Sequence, residues 1–298
     1  MTTVAGVLAN AAQDIPMSEA RLLLGAAMKQ SAVWLLTHGD AVLDVDQSSI
    51  FTDLLQRRAG GEPIAYLLGY REFYGRDFFV SPAVLIPRPE TELLVDLIKS
   101  SVGASVGAGD TPLSVTAKID TPSILDLGTG SGCIAISIAL LSPQHHVTAV
   151  DASVDALQVA IANAKRLQAD VEFVRSDWYA ELGDRRFNII VSNPPYVAVG
   201  DAHLQQGDLR FEPAQALSSG QSGLSALQNI IEAAPRYLHP NGMLAVEHGY
   251  DQASAVRDFF ARNGFCDIAQ HQDLAGIVRV SCGRLPALPM TAPSATAK

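Results

Sequence analysis

The sequence is poor in cysteine, in long apolar runs and in basic charge. Its three cysteines, Cys133, Cys266 and Cys282, lie far apart in 298 residues. That spacing suits neither a disulfide framework nor a zinc site, so no metal is expected. Isolated buried thiols in a reducing compartment are expected instead. No apolar run is long enough to span a bilayer. The start, Met1-Thr2-Thr3-Val4, lacks the basic stretch and apolar run of a secretory leader. No membrane association and a cytoplasmic location are therefore expected. Lys and Arg number 21 against 31 Asp and Glu, a formal charge of −10. Duplex binders rely on basic surface to displace counterions, so direct contact with nucleic acid is not expected. What is present is an apolar fraction of 48% and a length sufficient for two domains.

Residues 1–75 read as a helical N-terminal domain. Ser18 precedes an apolar helical run through Leu24, a second helix is expected over Ser31 to Thr37, and a third over Ser48 to Ala59. Gly60-Gly61-Glu62-Pro63 breaks the last one. No catalytic constellation falls here, which suits a domain that recognises a partner or covers a site. Residues 76–90 read as a hairpin linker. Phe73 to Val80 and Val84 to Ile86 are its aromatic and β-branched arms, with the turn at Ser81-Pro82. Thr91-Glu92 opens a helix, and Arg88 could meet an anionic ligand or a surface carboxylate, with the surface reading favoured. The stretch 100–122, rich in Ser, Gly, Ala and Thr, reads as a flexible loop, and 286–298 as a disordered tail.

From Ser123 onward strands and helices alternate, which implies a parallel sheet with helices on both faces. Expected strands cover 124–127, 147–150, 171–174, 187–191 and 243–247, with two more near Asp267 and Ile277. Expected helices cover 133–141, 154–167, 224–238 and 253–263. The body of the fold is thus an α/β domain over residues 91–285.

The chemistry collects at strand ends. Gly128-Thr129-Gly130-Ser131-Gly132 follows the first strand and lets backbone approach a ligand at a helix N-terminus. Asp151 ends the second strand, where a carboxylate can accept from ribose hydroxyls. Together they indicate an adenosine-containing cofactor, with NAD and S-adenosylmethionine both open. Asp177 and Trp178 end the third strand, an acceptor for an adenine amine and a ring to pack on it. The fourth strand ends at Ser192-Asn193-Pro194-Pro195-Tyr196. Two consecutive prolines remove two N–H donors. The Asn193 oxygen, the local carbonyls and the flat face of Tyr196 suit a planar group carrying an NH2, either an amide or a base amine. An amino-methyltransferase has a use for such a slot, and a nicotinamide enzyme does not.

These stretches resemble the release factor glutamine methyltransferase family. The resemblance runs through residues 62–69, 72–75, 85–92, 126–132, 192–196, 207–213, 247–249 and 273–276. Ile86-Pro87-Arg88-Pro89-Glu90-Thr91-Glu92 and Arg210-Phe211-Glu212-Pro213 are the most particular to it. Asn-Pro-Pro-Tyr alone is shared with adenine-N6 methyltransferases. Ser222, where the family often has Asp, and the long 100–122 loop depart from the pattern. The resemblance implies a Rossmann-like class I S-adenosylmethionine-dependent methyltransferase sheet behind a small helical domain. It implies cofactor contacts from Gly128 to Gly132, Asp151, Asp177, Trp178 and Asn193. Asn193 and Pro194 are the implied catalytic acceptors, with Pro195 and Tyr196 completing the substrate slot. The implied partner is a class 1 peptide-chain release factor, methylated on its Gly-Gly-Gln glutamine by a monomeric enzyme. The alternatives are adenine-N6 methylation of DNA or RNA, and methylation of a glutamine in another protein.

Overall fold

The computed structural model describes residues 2–103 and 121–287. Most of the expected 100–122 loop and of the expected tail lies outside them, and residues 100–103 close a helix.

Five helices come first: α1 (Val4–Ala11), α2 (Met17–Met28), α3 (Ala32–Thr37), α4 (Val45–Ala59) and α5 (Ile64–Leu68). They have a core of their own, built on Leu8, Leu23, Leu24, Leu35, Phe51 and Leu54. Helix α4 starts where Asp44 accepts from the Gln47 N–H at 2.7 Å and Gln47 accepts in return from the Asp44 N–H at 3.1 Å. Two free N–H groups are thereby satisfied at once. Helix α1 is absent from the sequence reading. Its buried positions Val4, Leu8 and Ala11 are spaced correctly, but the Ala and Gly between them dilute the pattern.

The hairpin differs from its expected form. Strands β1 (Tyr70–Phe73) and β2 (Arg76–Phe79) pair antiparallel, so the turn is Tyr74-Gly75 and not Ser81-Pro82. The hairpin therefore straddles residue 75. Both turn residues have positive φ, 52° and 74°. Such turns favour Asn-Gly, and a tyrosine there hides the signal. Tertiary bonds hold it: the Tyr74 N–H donates to Glu92 at 2.8 Å and its hydroxyl to Asp96 at 2.8 Å. Residues 84–86 form no strand.

The main sheet has β3 (Ser123–Leu127), β4 (His146–Asp151), β5 (Glu172–Arg175), β6 (Phe187–Ser192), β7 (Leu238–Glu247), β8 (Cys266–Gln272) and β9 (Val278–Arg284). Their order is β5-β4-β3-β6-β7-β9-β8, parallel except for β9, which runs antiparallel to both neighbours. Helices α6 (Glu92–Gly103), α7 (Cys133–Leu141), α8 (Val154–Leu167), α9 (Ala214–Leu217), α10 (Ser225–Tyr237) and α11 (Ala253–Arg262) complete the domain. Alternation along the strands divides the core. Ile124, Val191 and Ala245 pack with Leu94, Ile98 and Ile134 on one face. Leu125, Ile190 and Leu244 pack with Leu227, Ile230 and Phe260 on the other.

Strand order reverses between β3 and β6, and ligands of open α/β sheets bind outside the carboxyl ends at such a point. The register pairs Leu127 with both Val150 and Ser192, and Asp151 with Arg175. The loops after β3, β4, β5 and β6 therefore open onto one edge.

Asn163 of α8 ties this edge to the hairpin. Its amide accepts from the Phe79 N–H at 2.7 Å and donates to the carbonyls of Phe79 and Ser131, each at 2.9 Å. The residue is fully buried. Asn163→Ala should destabilise the fold by roughly 2–4 kcal/mol, because two of the stranded backbone groups lie at the join. Denaturant unfolding measures it.

Candidate active site

The cleft at the switch point has a volume of about 350 Å³, enough for a nucleoside-sized ligand. Its floor is the turn after β3. Gly128 and Thr129 both donate to the Val150 carbonyl at 2.9 Å, which anchors the turn on β4. Gly128 and Gly130 have φ of +71° and +55°. A side chain at Gly128 would also touch the Trp178 ring, 3.4 Å from a built Cβ. Trp178 itself has φ of 49°, and its carbonyl accepts from the Ser176 hydroxyl at 2.9 Å.

Asp151 closes the β4 side. Its two carboxylate oxygens accept from the Gly130 and Ser153 N–H groups, each at 2.9 Å. Burial nonetheless raises its pKa, against the pull of these bonds. Each oxygen keeps a lone pair for a further donor, such as a ribose hydroxyl. Below it Asp126 is fully buried and held up to about 7, chiefly by burial, while the Thr129 hydroxyl donates to it at 2.7 Å. Asp177 is exposed at the rim. An acidic group at a strand end, a ring over a bare glycine and backbone open to close approach form a donor and acceptor set that fits an adenosyl cofactor.

The opposite wall is the end of β6. The Asn193 Nδ2 donates to the Thr91 hydroxyl oxygen at 3.0 Å, while Asn193 Oδ1 is buried and has no partner among the described residues. Buried polar atoms are rarely left so. Pro195 lines the cleft beside it. Pro194 is buried behind the slot, and Tyr196 turns away to donate to Glu247 at 3.2 Å. Burial raises the Tyr196 pKa.

A frame that sequence reasoning missed supports this wall. Arg88 is no surface residue paired at random: it lines the cleft and donates to Glu212, whose side chain is fully buried. Glu212 also accepts from the Ile86 N–H at 3.0 Å. The segment carrying Glu212 is tied to the helical domain. Arg58 donates to Glu19 at 2.7 Å and to Asp208 at 3.1 Å, and Arg210 reaches the Gly60 carbonyl at 2.7 Å.

The structure thus gathers Gly128, Thr129, Gly130, Ser131, Asp151, Asp177, Trp178, Asn193 and Pro195 around one cleft. Gly132, Pro194 and Tyr196 do not line it. Gly132, with φ of +81°, lets α7 meet α8: an added Cβ would lie 2.8 Å from Ile136 and 3.1 Å from Ala160. Val84, Thr91, Ser153 and Gln215 line it without having been singled out for the site. Thr91 carried a local signal as a helix start, and Ser153, two residues after Asp151, as a helix cap. Among the cysteines Cys133 and Cys282 are buried, but Cys266 is exposed on β8, contrary to expectation. Among the described residues no group of side chains is arranged to hold a metal ion.

The sheet order and the cleft define a class I S-adenosylmethionine-dependent methyltransferase. Solved structures share the fold. A methyltransferase from Pyrococcus furiosus aligns with a TM-score of 0.50 at 18% identity, over 79% of this chain and 99% of that one. A T. thermophilus 16S rRNA methyltransferase solved with AdoMet and guanosine aligns with a TM-score of 0.51 at 17% identity, over 72% of this chain and 49% of that one. Residues 2–69 match the PrmC N-terminal domain model, and residues 112–220 match the Methyltransferase small domain model. The release factor glutamine methyltransferase of Burkholderia pseudomallei is 46% identical over 92% of this chain and 94% of its own length. That of Bordetella pertussis is 45% identical over 96% and 100%. The chain belongs to the release factor glutamine methyltransferase family.

Proposed function

We propose that this protein transfers a methyl group from S-adenosylmethionine to the side-chain amide nitrogen of the Gly-Gly-Gln glutamine in class 1 release factors. The observation that carries the proposal is Asn193 Oδ1, buried, without a partner among the described residues and part of a residue that lines the cleft. When bound, S-adenosylmethionine supplies an electrophilic methyl group. Gly128 to Ser131 and Trp178 shape its site, and Asp151 and Asp177 offer acceptors to its hydroxyls and amine.

A carboxamide nitrogen is a weak nucleophile because its lone pair is delocalised. In this reading Asn193 Oδ1 accepts one of its N–H groups and aims it, and the Pro194 carbonyl, although Pro194 does not line the open cleft, accepts the other once the substrate is seated. These bonds strengthen as the nitrogen gains positive charge, which is the differential binding that accelerates a reaction. Alignment alone can supply up to roughly 7–11 kcal/mol. No side-chain nucleophile is needed. His248 is buried against Ser281 and His203 is paired with Asp201 outside the cleft. The net charge of −10 favours a protein over a nucleic-acid partner, and we infer action as a cytoplasmic monomer. Among the described residues no helix is long and apolar enough to cross a membrane.

Mass spectrometry of a class 1 release factor, after incubation with the protein and S-adenosylmethionine, tests the proposal. One added methyl on the Gly-Gly-Gln glutamine is expected. An unmodified factor beside methylated adenine in a DNA or RNA control would overturn it in favour of the base amine.

A further inference from the structure

Two prolines leave the slot short of the bonds that usually hold a loop. Pro194 and Pro195 donate no N–H, so the segment has to be held through its side chains and carbonyls. Gln252 supplies one such hold. This residue is buried and stands at the start of α11. Its Nε2 donates to the Tyr196 carbonyl at 2.9 Å, and its Oε1 accepts from the Gly249 N–H at 2.9 Å. A flipped amide would set donor against donor and oxygen against oxygen, so its orientation is fixed. Gly249 is anchored in turn. The N–H of His248, one residue before it, donates to the Arg279 carbonyl of β9 at 2.9 Å, and the His248 ring meets the Ser281 hydroxyl of β9 at 2.9 Å. Gly223 fits closely against the bond to Tyr196. An added Cβ there would collide with the Tyr196 oxygen and lie 3.0 Å from Gln252 Nε2.

We propose that Gln252 is a positioning residue: by holding the Tyr196 carbonyl against the end of β7, it sets where Asn193 Oδ1 and the Pro194 carbonyl stand in the slot. The bonds stand on their own, while their catalytic consequence rests on the methyl-transfer reading. Upstream, the segment leaves β6 at Ser192, whose hydroxyl donates to the Leu127 carbonyl at 2.7 Å. Downstream, it ends at the Tyr196 carbonyl. Between these points φ of both prolines is locked at about −65°, so few torsions are free to absorb a shift at either end. A displaced Tyr196 carbonyl therefore carries Pro194 and Asn193 with it. The other holds on this stretch act elsewhere. The Tyr196 hydroxyl, on Glu247 at 3.2 Å, places the ring. The Val197 N–H donates to the Leu217 carbonyl at 3.0 Å, and the Val197 carbonyl accepts from the Ser219 N–H at 2.9 Å. Those bonds tie the next residue to the end of α9 and the loop beyond it. Gln252 ties the backbone of the slot to the sheet.

The test uses the full-length protein and two variants that separate positioning from bracing. Gln252→Met is neutral and similar in length but lacks both polar atoms. Gln252→Glu keeps the acceptor for Gly249, and a carboxylate suits a helix start, but it replaces the donor to Tyr196 with a second acceptor. A residue that only braced α11 would therefore tolerate glutamate. In release factor methylation both variants should lose about 100-fold in kcat, the scale of a slightly misplaced reacting group. The KM for S-adenosylmethionine should change little, and calorimetry should find cofactor affinity near wild type, which also shows that the variants fold. The slot is read without substrate in the Asn193 side-chain NH2 signals by ¹H–¹⁵N NMR, identified by their absence in Asn193→Ala. These signals should shift in Gln252→Met. A kcat unchanged in Gln252→Glu, an unmoved Asn193 signal, or a fall in cofactor affinity as large as the fall in kcat overturns the proposal. A shifted Asn193 signal in Gln252→Met, beside a wild type that methylates no release factor, supports the positioning and sinks the methyl-transfer reading instead.

Discussion

Asn193→Ala should abolish methyl transfer while leaving S-adenosylmethionine binding largely intact. The side-chain Oδ1 is buried, belongs to a residue that lines the cleft, and has no partner among the described residues. Its removal deletes an interaction that strengthens as the amide nitrogen becomes positive. Loss of a single preorganised group of this kind costs about 10²–10³-fold in kcat. The loss here should sit at or above the upper end, because the same oxygen also aims the nucleophile. The cofactor half is built from the turns after β3, β4 and β5, and Asn193 holds none of them. Among the described residues its side chain bonds to Thr91 alone, so little else should shift. Asn193→Asp is a sharper probe. It keeps an oxygen at the slot, but its second oxygen faces Thr91 in place of an N–H. It also brings a negative charge into a wall already holding Glu247. Severe loss is expected there too. Single-turnover assays beside calorimetry with S-adenosylmethionine separate the two quantities. Turnover equal to wild type in Asn193→Ala would remove the slot from the mechanism.

The same residues show what a sequence can and cannot disclose. Helix α8 was legible to its ends because cap, period and charges agree: Ser153 caps it, Asp155 lies in its first turn, and Lys165 and Arg166 in its last. Gly128, Asp151, Asp177 and Asn193 were legible as neighbours at one edge because parallel strands in register bring their ends together, and they line one cleft. Each of these is a local feature repeated at a strand end. The groups that tune the site are not local. Thr91 meets Asn193 across 102 residues of chain, and Ile86 meets Glu212 across 126. No periodicity encodes such pairings. Their stretches stood out by resemblance, without an assigned contact. The turn at Tyr74-Gly75 failed for a related reason. A tyrosine at positive φ contradicts local preference and is held by Glu92 and Asp96, which only the folded chain brings near. Gly132 failed in the opposite sense. It sits in a glycine-rich turn that reads as ligand-binding, yet its missing side chain makes room for Ile136 and Ala160.

Asp151→Ala should produce the complementary defect, weak cofactor binding with a largely preserved chemical step. Asp151 does two jobs with two oxygens. It accepts from Gly130 and Ser153, which fixes the glycine turn to the start of α8. It also lines the cleft, where its remaining lone pairs can meet ribose hydroxyls. Truncation removes the hydroxyl contacts and leaves the Gly130 N–H without its acceptor. Hydrogen bonds to a charged group contribute about 1.5–3 kcal/mol each, so two lost contacts amount to roughly a hundredfold or more in affinity. Calorimetry should show that loss directly. At saturating S-adenosylmethionine, kcat should recover much of its wild-type value, since Asn193 and Thr91 are untouched. Asp151→Asn should fall between the two. It retains one acceptor, but its NH2 must face a backbone donor where the second oxygen was. An affinity unchanged in Asp151→Ala would take the ribose from this carboxylate and leave Asp151 as a brace for the turn alone. Asn193 and Asp151 therefore divide the cleft by measurement: a defect in rate belongs to the end of β6, and a defect in binding to the end of β4.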